Sequence, residues 1–344
     1  MKKVGIITYH HVDNLGAVLQ AYALQYCLWD RWKIDATIIN YCGYPPNHSR
    51  RVTAGLKGLV LQGYHAWKHL LFSQFRRQFL KTSVVYDRKT IHACTEEFDG
   101  FIAGSDQIWN YECSDWDDTY FLDFVPKGKK KYSYAASIGN YSFSEQERDR
   151  ISDLLTDFQM ISVREESAKK ILQEIAATDI EVCPDPVFLL TSENWKKIMS
   201  PRLCRQRYVF VYLIQDDVNV LHNTLKYAEE HRCKVIINKK SPEFILHGSP
   251  QDFLSWIYYA DCVFTNSFHG TAFSLVFDRP LCADIQLKNG GTNSRIQFIL
   301  NNVGAQQCVI TDENVLGAKP NAQEKLEVIR ENAYGYLEKI CTDI

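Results

Sequence analysis

The chain has 344 residues, 46% hydrophobic, with 39 Lys and Arg against 41 Asp and Glu, so a net charge of -2 excludes an overall polyanion-binding field and no nucleic-acid partner is expected. With 23% charged and 13% aromatic residues the composition is globular, and the length predicts two domains. No stretch reaches the roughly 18–20 uninterrupted apolar residues of a membrane span. The opening Met1-Lys2-Lys3-Val4-Gly5-Ile6-Ile7 reads as a strand rather than a signal region, so a cytoplasmic protein is expected.

Strands are predicted at 3–9, 36–41, 101–103, 132–136, 160–163 and 180–183, then at 208–214, 234–238, 262–265, 281–283 and 307–310. Helices are predicted between them at 17–31, 144–158, 165–175, 218–231, 250–259 and 271–277. This alternation implies α/β architecture, with two doubly wound, Rossmann-like domains of five or six parallel strands each. The prolines and basic residues of 185–207 mark the boundary, giving domains at 1–190 and 205–320. A C-terminal helix at 321–344 could pack on either domain.

Eleven cysteines are scattered singly, with neither C-x-x-C nor paired ligand spacing, so reduced thiols and no metal are expected. The segment 49–90 stands apart. Arg50, Arg51, Lys57, Lys68, Arg76, Arg77, Lys81, Arg88 and Lys89 face a single acid, Asp87, for a net +8 that leaves -10 elsewhere. Interleaved with Leu59, Val60, Trp67, Leu70, Phe72 and Phe75, these charges suggest an amphipathic basic helix. Such a helix either lies on an anionic membrane surface or packs on a sheet with its charges solvated.

Four turns carry chemistry. After the first strand, His10, Asn14 and Gly16 precede or open a helix, where a ligand could approach the backbone or Asn14 could simply cap. The run Gly104-Ser105-Asp106-Gln107 follows another strand. There Asp106 could act as acid, base or cap, and Trp109 could stack on a sugar or fill core. Arg164, at a strand–helix junction, could grip a carboxylate or phosphate, or pair with Glu165, Glu166 or a neighbouring element. Last, Thr265-Asn266-Ser267-Phe268-His269-Gly270-Thr271 ends a buried strand and opens a helix, placing His269 beside backbone N–H groups. Arg295 is ambiguous by itself. The absence of G-x-G-x-x-G gives a dinucleotide cofactor no support.

Taken in order, these turns resemble the polysaccharide pyruvyl transferases. The resemblance runs through N-L-G-A-V-L-Q-A-Y-A-L-Q, F-D-G-F-I-A-G-S-D-Q-I-W-N, S-Y-A-A-S-I-G, S-V-R-E-E-S-A, C-P-D-P-V-F-L-L and T-N-S-F-H-G-T-A-F-S-L-V-F-D-R-P. It implies a GT-B-like arrangement with the active site in the inter-domain cleft. It also implies transfer of the enolpyruvyl unit of phosphoenolpyruvate, as co-substrate and without a cofactor, onto two hydroxyls of a sugar. The products are a pyruvate ketal and phosphate. The acceptor would be a glycan of galactose or mannose type in a surface polysaccharide or its lipid-linked precursor, met at the inner face of the cytoplasmic membrane.

Arg164 matches the family's S-x-R arginine, expected to hold the donor, and His269 matches the signature histidine. Some members carry an arginine where this chain has Ser267, which makes Arg295 the candidate replacement. His269 and Asp106 are the expected acid and base, in either order. Arg164, Arg295 and the polar residues of the other turns (His10, Asn14, Gly16; Gly104, Ser105, Gln107, Trp109; Asn266, Ser267) are expected to bind substrate. The rival readings are a nucleotide-sugar glycosyltransferase of the same fold and a catalytically silent assembly protein.

Overall fold

The computed structural model describes residues 1–43, 56–286, 293–310 and 317–344, apart from the side chains of Leu56 and Lys57. These residues form two compact units. The first comprises Met1–Gly58, Arg76–Leu189 and Arg330–Ile344, and the second comprises Leu59–Phe75 and Leu190–Ile329.

The first unit is built on seven parallel strands, β1 (Lys3–Ile7), β2 (Asp35–Tyr41), β3 (Thr82–Tyr86), β4 (Gly100–Ala103), β5 (Lys130–Ser133), β6 (Phe158–Val163) and β7 (Ile180–Val182). Their order is β3-β2-β1-β4-β5-β6-β7. The inner strands are apolar on both faces: Val4, Ile6 and Ile7 of β1 and Phe101, Ile102 and Ala103 of β4 are fully buried. That is the pattern of a sheet covered on both sides, and each large side chain so buried contributes about 1.5–3 kcal/mol. The strand order reverses between β1 and β4, so the turns after these two strands diverge and leave a crevice at their carboxyl ends.

The helix Leu15–Trp32 follows β1 and is buried over most of its circumference. Asn14 starts it by accepting hydrogen bonds from the N–H groups of Gly16 and Ala17, and Lys33 ends it in a left-handed conformation, its N–H returned to Leu28 and Trp29.

The second unit holds β8 (Tyr208–Tyr212), β9 (Lys234–Ile237), β10 (Cys262–Thr265) and β11 (Leu281–Ala283), all parallel, in the order β11-β10-β8-β9. Its reversal lies between β8 and β10, and β10 leads directly into the helix Phe268–Val276.

Several sequence-based expectations need correction. The second sheet has four strands among the described residues, not five or six. Residues 307–310 form no strand: a 3-10 turn, Gln306–Cys308, is followed by a single bridge between Ala283 and Val309. The basic segment is not one helix, because Leu56–Phe79 is helical but Thr82–Tyr86 pairs with β2 as an edge strand. Its Ser-Val-Val-Tyr composition favours extended backbone, a local signal masked by the surrounding charge. Residues 49–55, with Arg50 and Arg51, lie outside the described residues. Residues 59–75 belong to the second unit rather than to the N-terminal one, the Trp67 indole N–H donating to the Ile245 carbonyl at 3.1 Å. The C-terminal helix, Gln323–Asp343, places its residues from Arg330 onward in the first unit. There Arg330, Tyr334 and Tyr336 donate to the carbonyls of Phe188, Leu189 and Ser133.

Gly270 lets the Phe268–Val276 helix sit against its own strand: a Cβ there would lie 2.4 Å from Thr265 Oγ1. Gly270→Ala should therefore cost about 1–3 kcal/mol of stability through overpacking. Denaturant unfolding with an unchanged midpoint would show that the contact relaxes freely.

Candidate active site

At the carboxyl edge of the first sheet, Thr8 Oγ1 donates to the Ser105 carbonyl at 2.7 Å and accepts from Gln20 Nε2 at 2.9 Å. This ties the turn after β1 to the turn after β4. Gly104 permits the approach, since a Cβ would stand 3.1 Å from Thr8 Cβ. Asp106 then turns the chain with φ +80°, unusual for a residue bearing a Cβ, its Oδ1 accepting the Gln107 N–H. It does not cap a helix. That task falls to Asn110, which accepts from the Glu112 N–H.

Three polar atoms on these turns are buried with no hydrogen-bond partner among the described residues: Ser105 Oγ, Tyr9 Oη and His11 Nδ1. Leaving such groups unsatisfied costs about 1–3 kcal/mol each, an expense that a ligand's hydroxyls would remove. Burial, followed by Tyr120, Cys113 and Asp106, pushes the Tyr9 phenol far above its ordinary pKa. Burial, with help from His10 and Arg76, lowers His11 to about 4. Both groups are thus neutral near pH 7 and act as hydrogen-bonding rather than charged groups.

Other residues expected in this crevice are committed to the fold. His10 is buried, with Nδ1 3.1 Å from the Thr8 carbonyl and Nε2 3.1 Å from Asn40 Oδ1. Asn14 is the helix cap, and the Gly16 N–H is used by it. Trp109 fills core: its ring is fully buried, stacks on Phe121 at 5.0 Å and donates to the Tyr120 carbonyl, so stacking on a sugar is not open to it. Gln107 Oε1 accepts from Asn110 and lies where any Cβ on Gly139 would fall.

Arg164 is 4% exposed and donates to Asp185 Oδ2 at 2.7 Å, with Glu165 Oε2 3.7 Å from its Nε. Burial works against its charge, yet Asp185, Glu165 and then Asp106 hold its pKa above the ordinary arginine value. Glu165 in turn accepts from Ser137 Oγ and from the N–H groups of Ile138 and Gly139. One guanidinium here answers three carboxylates, which is poor ground for a multiply charged anion. The pairing read as the plainer alternative for this arginine is the one the structure displays.

The second unit is different in charge. Thr265 Oγ1 donates to the Tyr212 carbonyl at 2.6 Å and accepts the Ser267 N–H at 3.0 Å. Asn266 accepts the Ile214 N–H and donates to the Gln215 carbonyl, both at 2.9 Å, stitching the turn after β10 to the turn after β8. Ser267 caps the following helix through the Gly270 N–H. Asn266 and Ser267 therefore shape the turn with the groups expected to touch substrate. His269, half-buried, sits in the helix's first turn with its ring 5.2 Å from that of Phe268. The guanidinium carbon of Arg295, from the helix Ser294–Val303, stands 6.0 Å from the Phe268 ring centroid. The structure thus gathers His269, Arg295 and the positive end of a helix around one phenylalanine.

Sequence inspection missed Asp284. It follows β11, its N–H donates to the Thr265 carbonyl at 2.8 Å, and its carboxyl feels that of Asp217, the cap of the helix Val218–His231. Burial, opposed by the Gln286 N–H and reinforced by Asp217, pushes it up to about 6. Only the unremarkable L-C-A-D carried it in sequence. The pairing depends on β8 and β11 flanking β10, which no local pattern reveals.

A pocket of about 370 Å³ opens elsewhere in the first unit, at the amino ends of β2 and β3, lined by Tyr22, Tyr26, Trp29, Asp35, Phe79 and Lys81. It is remote in topology from the carboxyl-edge turns. Among the described residues no group of three His, Cys, Asp or Glu side chains could hold a metal ion, and no helix is long and apolar enough to cross a membrane.

Two parallel, doubly wound sheets with polar turns at their carboxyl edges define an α/β protein of the kind that binds ligands at strand-order reversals. The family model described as polysaccharide pyruvyl transferase matches residues 14–283. The chain belongs to the polysaccharide pyruvyl transferase family, a family of transferases in polysaccharide biosynthesis. No curated protein sequence matches it significantly. Among solved structures it is similar to the UDP-GlcNAc 2-epimerase of Neisseria meningitidis (13% identity, 99% of this chain and 94% of that one, TM-score 0.49). It is also similar to the UDP-GlcNAc 2-epimerase of Methanocaldococcus jannaschii (13%, 96% and 92%, TM-score 0.47). E. coli ADP-heptose lps heptosyltransferase II is a further such structure (10%, 96% and 99%, TM-score 0.38).

The raised carboxyl of Asp284 has a definite consequence for stability. Its proton is held more tightly in the folded chain than in the unfolded one, so stability falls as pH rises through about 4 to 6, and the loss is complete above that window. Asp284→Asn should therefore melt above the wild type at pH 7.5, with the difference vanishing near pH 4. A variant that melts lower at pH 7.5 would contradict the raised Asp284 carboxyl.

Proposed function

We propose that this chain transfers the enolpyruvyl unit of phosphoenolpyruvate onto two hydroxyls of one sugar residue, in a surface polysaccharide or its lipid-linked precursor. The products are a cyclic pyruvate ketal and phosphate. The observation that carries this reading is the cluster of His269, Arg295 and a helix N-terminus around Phe268, in a chain of this family. A donor with about three negative charges at neutral pH needs a cation and aligned N–H dipoles. Arg295 supplies the cation, and the helix that opens after β10 supplies the N–H dipoles.

The chemistry balances without a further reactant. A general acid protonates the methylene carbon of the donor, leaving an oxocarbenium-like centre at the neighbouring carbon. The first sugar hydroxyl adds there and gives up its proton. Phosphate then departs with the electron pair of the C–O bond, and the second hydroxyl closes the ketal and gives up its own. Of the two protons released, one replaces that taken from the acid and the other leaves with phosphate. Arg295 and the helix end stabilise the departing phosphate. His269 is one proton carrier, and Asp106 is the other. Asp284, whose carboxyl is poised near neutrality, is an additional acid on the His269 edge. The buried, unsatisfied Ser105 Oγ, Tyr9 Oη and His11 Nδ1 are suited to the neutral acceptor, hydroxyl to hydroxyl.

Phosphate release from phosphoenolpyruvate, assayed across a panel of galactosides and mannosides, tests this directly. Release should require an acceptor and fall by at least about a hundredfold in His269→Ala. Ser105→Ala should melt no lower than the wild type while raising the acceptor KM. A chain stabilised by nucleotide sugars and indifferent to phosphoenolpyruvate is instead a glycosyltransferase. One that releases no phosphate with any acceptor, yet folds, fits the silent assembly protein.

A further inference from the structure

The helix Leu56–Phe79 carries an apolar face that its own unit does not cover. Phe72 and Phe75 are fully buried on one side, and the Trp67 N–H fastens the helix through the Ile245 carbonyl. On the opposite side Leu59, Val60, Trp67 and Leu70 are 65%, 67%, 40% and 46% exposed. With Gly63 and Ala66 they recur at the spacing that forms one stripe on a helix, about 17 Å long from residue 59 to residue 70. Leu61 is exposed as well, on another side near the helix start. The helix contains Lys57, Lys68, Arg76 and Arg77 and no acidic residue.

We propose that this stripe seats the protein on an anionic lipid surface. Charge selects the occupant. The helix Leu56–Phe79 carries four basic residues and no acid, so a second copy of the chain docking stripe to stripe would bring two like-charged helices together, whereas anionic headgroups complement one. A helix of this pattern lies flat about 5–10 Å into the headgroup layer.

The cations of this contact differ from those suggested by sequence. Arg76 is engaged with Asp13 at 3.0 Å and Lys81 is paired with Asp35, so both have partners within the first unit. Arg77 is exposed and falls in line with Leu59 and Leu70 around the helix. The surface is independent of the transfer reaction, so either can fail without the other.

Sedimentation of the full chain with phosphatidylcholine vesicles, with and without phosphatidylglycerol, reads the proposal. The wild type should bind the anionic vesicles preferentially and lose binding in high salt. Leu59→Gln combined with Leu70→Gln should weaken partitioning by about tenfold or more at an unchanged melting temperature. Arg77→Glu should flatten the difference between the two vesicle types. Equal binding by the double variant, or no binding to anionic vesicles, would overturn the proposal. So would a concentration-dependent dimer, seen by light scattering, that the double variant dissolves.

Discussion

The second unit's edge hangs on Thr265. Its hydroxyl donates back to Tyr212 and accepts from Ser267, while its carbonyl receives the Asp284 N–H. One residue therefore fixes where β10 stops, how its turn relates to β8, and where β11 delivers a carboxyl. Gly270 completes the arrangement by letting the first helical turn close over that hydroxyl. The position of His269, the orientation of the helix end and the pairing of Asp284 with Asp217 all follow from this short hydrogen-bonded turn.

Each carboxyl edge, taken by itself, offers a different chemistry. That of the second unit collects positive potential, from Arg295 and a helix terminus, around an aromatic ring. That of the first unit collects buried neutral donors and acceptors, and there the buried Arg164 is balanced by Asp185 and Glu165. A charged donor and a polyhydroxy acceptor have opposite requirements, one for cations and the other for unsatisfied hydrogen-bonding groups. Breaking the Arg164 network would leave buried charge without a partner, a cost of several kcal/mol.

Much of this was legible in sequence because the strands are continuous apolar runs and the turns at their carboxyl ends carry Gly, Asn, Ser and Asp. The alternation of such runs with longer periodic stretches points to doubly wound sheets, and His269 stood out because Gly and Thr follow it at a strand–helix junction. What was not legible depends on packing partners far apart in the chain. Trp109 and His10 look like site residues until Phe121 and Asn40 arrive beside them. Asn14 and Asn266 show polar groups that a ligand could use, yet backbone N–H groups claim them. Asp284 is ordinary until Asp217 is brought across β10. The strand β3 was hidden because basic residues on both sides made the segment look uniformly helical.

Calorimetric titration with phosphoenolpyruvate, comparing the wild type with Arg295→Gln, most directly tests the claim that the turn after β10 receives the anionic donor. Loss of a charge-assisted contact to phosphate predicts at least about a tenfold weaker Kd for the variant at an unchanged melting temperature. Binding as tight as that of the wild type would contradict it and return the donor to another part of the chain.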